Sequence, residues 1–336
     1  MRLATGIGVL IATLVAAPGV AQLPGGSTES QTKAAFVVPE YANVLRTLDA
    51  SKAESIIRAR DAVLATYTQV ASVEADAVFR QFWAFYRRVV RDVVGTSYPL
   101  LSWRTPGNRL LTEACAGSLT RCRGSDVDVF LRSQRPDHVR LREGNREAVE
   151  LLSGYRASGI AFDWGEGDWY VRVDPDLLLA TAAQLPLGEL AEWVRFWAAE
   201  EPQVVAEDAS LKVGWDDVRL RLARWERFGR AHPELPETEA EVMPHVRQLL
   251  AWYVFGIDNT RAYKPSIDPT LKASYDRFLI ENRDSSYYSV VQGIVERLTR
   301  SDGRATPDLV SFLTSQLRDP YFRNWLRNAE HSLSIK

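Results

Sequence analysis

Residues 160–173 read IAFDWGEGDWYVRV, and the fold class turns on this stretch. Ile160, Phe162 and Trp164 alternate with smaller or polar neighbours, and Trp169, Val171 and Val173 do the same after Gly165-Glu166-Gly167-Asp168. A period of two on both sides of a glycine-rich turn predicts a β-hairpin. Its apolar faces need cover, so the hairpin is expected to lie against helices. It is the one clear hairpin signal in the chain.

On both sides of it the period is helical. Upstream, residues 142–155 predict a helix, and so do residues 73–94, where Val78, Phe82, Phe85, Tyr86, Val89 and Val93 keep a helical spacing and Gly95 is read as the stop. Ser51-Lys52-Ala53-Glu54 has the form of a capping box that opens an earlier helix. Residues 96–128 show no period. Downstream, Asp174-Pro175, Asp268-Pro269, Thr306-Pro307 and Asp319-Pro320 each pair a capping side chain with a proline at the first helical position. Thr238–Glu241 reads as a second capping box. Helices are expected near 175–184, 187–200, 215–231, 239–256, 269–282, 285–301, 307–317 and 320–333. The predicted class is mainly α: an irregular multi-helix soluble domain of about ten helices with one β-hairpin near 160–173. The lengths follow no repeat, which disfavours a solenoid.

The chain opens MRLATGIGVLIATLVAAPGVAQLPGG. A positive residue, a short apolar run and small residues before a cut after Ala21 make the three-part pattern of a secretory signal. The apolar run falls short of the roughly 20 residues that a membrane span needs. The expected organisation is a signal peptide at 1–21, a flexible linker at 22–34 and a globular domain over 35–336, with room for a subdivision near residue 156. The implied address is the periplasm, with no membrane span after cleavage.

Of the 336 residues, 46% are apolar and 25% charged, enough to bury a sizeable core. The net charge of −2 gives no pull on nucleic acid. The only two cysteines, Cys115 and Cys122, lie close together, and in an exported protein such a pair reads as a disulfide.

No zinc motif, nucleophile elbow or phosphate loop occurs, and the four histidines are far apart in sequence, so neither a metal nor a cofactor is expected. Gly117-Ser118 with Asp126-Val127-Asp128 has the spelling of a nucleotidyltransferase site without the strand that such a site needs. Three features remain. The hairpin sets Asp163, Glu166 and Asp168 beside Trp164 and Trp169, a set that a glycan hydrolase or a glycan-binding surface could use. The loop 256–263 gathers Asp258, Asn259 and Tyr263 at the end of an apolar helix. Seven of the ten tryptophans lie between Trp164 and Trp252. Among them Trp193 and Trp197 read as core more readily than as a sugar platform. In residues 215–231, Trp215, Val218, Leu222 and Trp225 make a buried stripe, and Arg221, Arg224 and Arg227 a solvated one. The expected function is that of an exported envelope binding protein, for which an inhibitor or immunity-type partner of a secreted protein is the example. The expected partner is another envelope or secreted protein, or a cell-wall polymer. The alternative is a carboxylate-dependent cell-wall hydrolase.

Overall fold

The computed structural model describes residues 37–102, 105–115, 121–122, 124–165, 168–201, 203–207, 209–264 and 266–334. The expected signal peptide and linker, and Glu166 of the hairpin turn, lie outside the described residues. The architecture is mainly α: 69% of the described residues are helical, in 15 helices where about ten were expected.

The first layer is made by α1 (Pro39–Thr47), α2 (Glu54–Tyr67) and α3 (Ser72–Leu101), which pack on one another. Helix α3 runs past Gly95, which was read as its end. A single interior glycine costs only about 1 kcal/mol, and the helix continues until just beyond Pro99. The capping box at Ser51 does not form. The Ser51 amide and hydroxyl both bond to Asp49 Oδ1, a local turn that competes for the same donor.

Residues 96–128, expected to be irregular, contain α4 (Pro106–Ala114), β1 (Arg121–Cys122) and the start of α5 (Gly124–Arg132). Helix α4 carries the same signature as the four proline starts: Thr105 precedes Pro106, and its hydroxyl accepts the Asn108 amide. Next come α6 (Pro136–Glu143) and α7 (Arg146–Ala157). The hairpin is β2 (Ile160–Gly165) and β3 (Asp168–Val173), with β1 pairing to the outer edge of β2. Its register sets Ile160 opposite Val173, Phe162 opposite Val171 and Trp164 opposite Trp169, so the apolar residues share one face.

That face rests on α3. The buried Tyr86 hydroxyl of α3 donates to the Gly159 carbonyl and accepts the Asp174 amide at 2.9 Å. One side chain therefore clamps both strands at the open end of the hairpin, and burial pushes its pKa upward. Asp174 also caps α8 (Pro175–Ala182) and accepts Arg156 Nη1 at 2.5 Å.

The second half begins with α9 (Leu190–Glu200) and the two-residue strands β4 (Ala206–Glu207) and β5 (Ser210–Leu211), followed by α10 (Trp215–Ala231). A π-helical turn at Thr238–Val242 leads into α11 (Met243–Phe255). The Thr238 hydroxyl donates to the His232 carbonyl and so caps nothing, and the second expected capping box is absent too. The short pair β6 (Gly256–Ile257) and β7 (Thr260–Arg261) precedes α12 (Pro269–Glu281), α13 (Tyr288–Arg300) and α14 (Pro307–Gln316). A 3-10 turn at Pro320–Phe322 ends the approach to α15 (Arg323–Ser334). The Asp174, Asp268, Thr306 and Asp319 side chains each accept a backbone amide just past the following proline, as the sequence predicted. One apolar cluster runs from Val38 to Leu326. Among the described residues, no helix is long and apolar enough to cross a membrane.

Candidate binding cleft at the end of α9

Helix α9 ends on two consecutive carboxylates, Glu200 and Glu201. Negative charge at a helix C-terminus opposes the helix dipole, so each needs a cation nearby. Each has one, from a different part of the chain.

Glu200 is only 4% exposed and holds α9 to α10. Arg221 Nε donates to its Oε2 at 2.8 Å, and Arg224 Nε donates to Oε1 at 2.7 Å. The Trp225 indole N–H reaches Oε2 at 3.3 Å. The remaining Arg221 donors go to the Glu200 and Gln203 carbonyls. The expected solvated arginine stripe is therefore corrected. Arg221 is buried by its pairing with Glu200, a carboxylate 21 residues away that a helical period does not reveal. Arg227 is exposed as expected.

Glu201 accepts Arg172 Nη1 at 3.3 Å, and Arg172 Nε donates to Asp163 Oδ1 at 2.8 Å. The hairpin acid Asp163 is thus engaged by an arginine that ties β2 and β3 to the end of α9. Asp168 is half-buried at the turn end of β3. Trp169 is in the core, with its indole N–H directed at the Thr112 hydroxyl at 3.3 Å, and Trp164 is half-buried across from it. Trp193 and Trp197 are likewise buried, in keeping with the core reading.

The loop 256–263 reaches the same neighbourhood from the other side. Asp258 and Asn259 form its exposed tip. The Asn259 amide donates to the Ala209 carbonyl at 2.8 Å, and the Leu211 amide donates to the Thr260 hydroxyl at 3.0 Å. The loop therefore docks on the β4–β5 turn. Tyr263 turns inward: its hydroxyl is buried beside that of Tyr275, and burial pushes its pKa up to about 12. It is a packing residue of the loop's base rather than part of its tip.

Hairpin and loop thus attach to one segment, residues 200–213. Between that segment and α10 opens a cleft of about 140 Å³. Gln203, Asp217, Leu220, Arg221 and Arg224 line it. Asp217 is turned to the Gly214 amide at 3.2 Å and locks the start of α10. Arg224 is different. Two of its nitrogens are held by Glu200, its side chain is 41% exposed, and no hydrogen bond from its Nη1 is found among the described residues. Leu220, beside it, is one of six large apolar side chains exposed among the described residues. An arginine fixed by a buried carboxylate has already lost most of its side-chain freedom, so a partner gains its hydrogen bonds at lower entropic cost. Next to an exposed leucine, it makes an anchor for a carboxylate attached to an apolar stem. No protein-family model, curated protein or solved structure matches this chain.

Proposed function

We propose that this chain is an exported binding protein of the cell envelope, of the inhibitor or immunity kind, which seats an acidic side chain of a partner protein in the Arg224–Leu220 cleft. The observation that carries this reading is Arg224 itself, held rigid by Glu200 yet open to solution. The cleft's size supports a side chain as occupant, since sites for small molecules and sugars usually span about 300–1,000 Å³. The hydrolase alternative has less support. Asp163 is engaged by Arg172, and Trp169 is core rather than a stacking surface.

The same reading includes cleavage after Ala21, delivery to the periplasm and a Cys115–Cys122 bridge. The three-part N-terminal pattern supports export. The burial of Cys115, and the entry of Cys122 into the sheet beside Phe162, support the bridge.

The test uses the protein lacking residues 1–21 as bait for envelope extract, alongside Arg224→Gln and Leu220→Asp. Leu220 is exposed, and a glutamine at 224 keeps a donor for Glu200, which Arg221 still neutralises, so both variants should fold, which circular dichroism checks. The expected result is one envelope or secreted protein retained by the wild type and bound at least about tenfold more weakly by each variant. Retention of wall polymer alone, or equal retention by all three proteins, overturns the proposal.

A further inference from the structure

Away from the cleft, the last turn of α4 meets the first turn of α6. Glu113 lies one residue from the end of α4, and Asp137 and His138 follow Pro136 at the start of α6. The ligand atoms of these three side chains all lie within 4.8 Å of one another. Glu113 and Asp137 are exposed, whereas His138 is 9% exposed with its ring against Phe130, centroids 4.9 Å apart.

The hydrogen bonding of His138 is unusual for a buried imidazole. Its Nδ1 is buried without a partner. Its Nε2 lies 3.4 Å from Glu113 Oε1. A charge-assisted hydrogen bond spans about 2.7–2.9 Å, so this approach is long. Two ligands of one tetrahedral zinc, with bonds of about 2.0–2.1 Å, stand about 3.3 Å apart. Neither ring nitrogen thus makes a hydrogen bond of ordinary length, and a cation between Nε2 and the Glu113 carboxylate would bond to both.

We infer that Glu113, Asp137 and His138 form a zinc site that pins α4 to α6. One imidazole nitrogen with two carboxylates, a fourth position being left to water, is a zinc-type set. Calcium takes six to eight oxygens and has no use for the nitrogen. Arg135 competes, since its Nη2 donates to Asp137 Oδ2 at 2.8 Å. The site takes the other oxygen of Asp137. Its place at the end of α4, two residues before Cys115, makes the metal a staple for residues 105–143 and not part of the cleft.

The test is calorimetric titration of the metal-stripped protein with zinc alone, then with calcium alone, at neutral pH. One equivalent of zinc should bind with micromolar affinity or better, and the melting temperature should rise with zinc by mass action. Glu113→Gln and Asp137→Asn, both at exposed positions, should each weaken zinc at least about tenfold, and His138→Asn should abolish binding. If His138→Asn misfolds, the two exposed variants decide. No zinc heat, zinc affinity unchanged in Glu113→Gln and Asp137→Asn, or equal binding of calcium overturns the site.

Discussion

Asp76 shows how a single side chain reports its surroundings. It lies on α3, and its Oδ1 accepts the Gly188 amide at 3.0 Å. Burial raises its pKa above the ordinary 3.8, against the pull of the Gly188 amide and Arg80 and with the push of Glu237 and Glu189. A raised value in the folded state means that the stabilisation belongs to the protonated form. It is present below the ordinary value and is lost as pH rises through the folded one. Asp76→Asn keeps the acceptor and removes the charge, so its melting temperature should gain on the wild type between about pH 4 and about pH 7. A difference that stays constant across that range would show that the carboxyl is unperturbed. Arg221 carries the opposite lesson about single residues. Its pattern in the sequence is that of a surface arginine, yet it is buried on Glu200. Side-chain periodicity records which face of a helix is apolar and is silent on which buried charge a distant chain segment supplies.

At the scale of elements, the proline-capped helix starts and the hairpin were legible because their causes are local. An Asp or Thr before proline needs nothing beyond its own first turn, and α10 follows its amphipathic pattern from Trp215 to Ala231. The failures have local rivals or distant causes. Ser51 had a nearer partner in Asp49. Helix α4 opens on Thr105-Pro106, the same signal that marks the four proline-capped starts elsewhere. The candidate acids of the hairpin were legible, and Arg172, which engages Asp163, stands diagonally across on the paired strand; only Glu201 is brought to that arginine by the fold. The docking of loop 256–263 on the β4–β5 turn gives the element-scale prediction. Gly256 has φ of 78°, and a Cβ there would stand 2.4 Å from the Thr260 carbonyl oxygen. Gly256→Ala should therefore destabilise the protein by about 1–3 kcal/mol, read by urea denaturation. It should also speed amide exchange at Asn259 and Leu211. A loss below about 0.5 kcal/mol with unchanged exchange would mean that the loop relaxes freely.

For the whole molecule, the continuous apolar cluster from Val38 to Leu326 leaves no described seam at which one half could unfold alone. Tyr86 clamps the hairpin to α3, and Arg172 passes the connection on to α9. Urea unfolding followed by far-ultraviolet circular dichroism and by tryptophan fluorescence should give coincident transitions. Separated midpoints would reveal an independent subdomain. The adjacent pair Glu200–Glu201 has a consequence for how such a sequence can diverge. Loss of Glu200 strands two guanidinium groups and an indole at once, a change of about 3–5 kcal/mol, and no single replacement at 221, 224 or 225 restores the balance. Across descendants of this chain, positions 200, 221 and 224 are therefore bound to change in concert or stay fixed. The exposed tip at Asp258, with no such debts to its neighbours, is free to drift with each new partner.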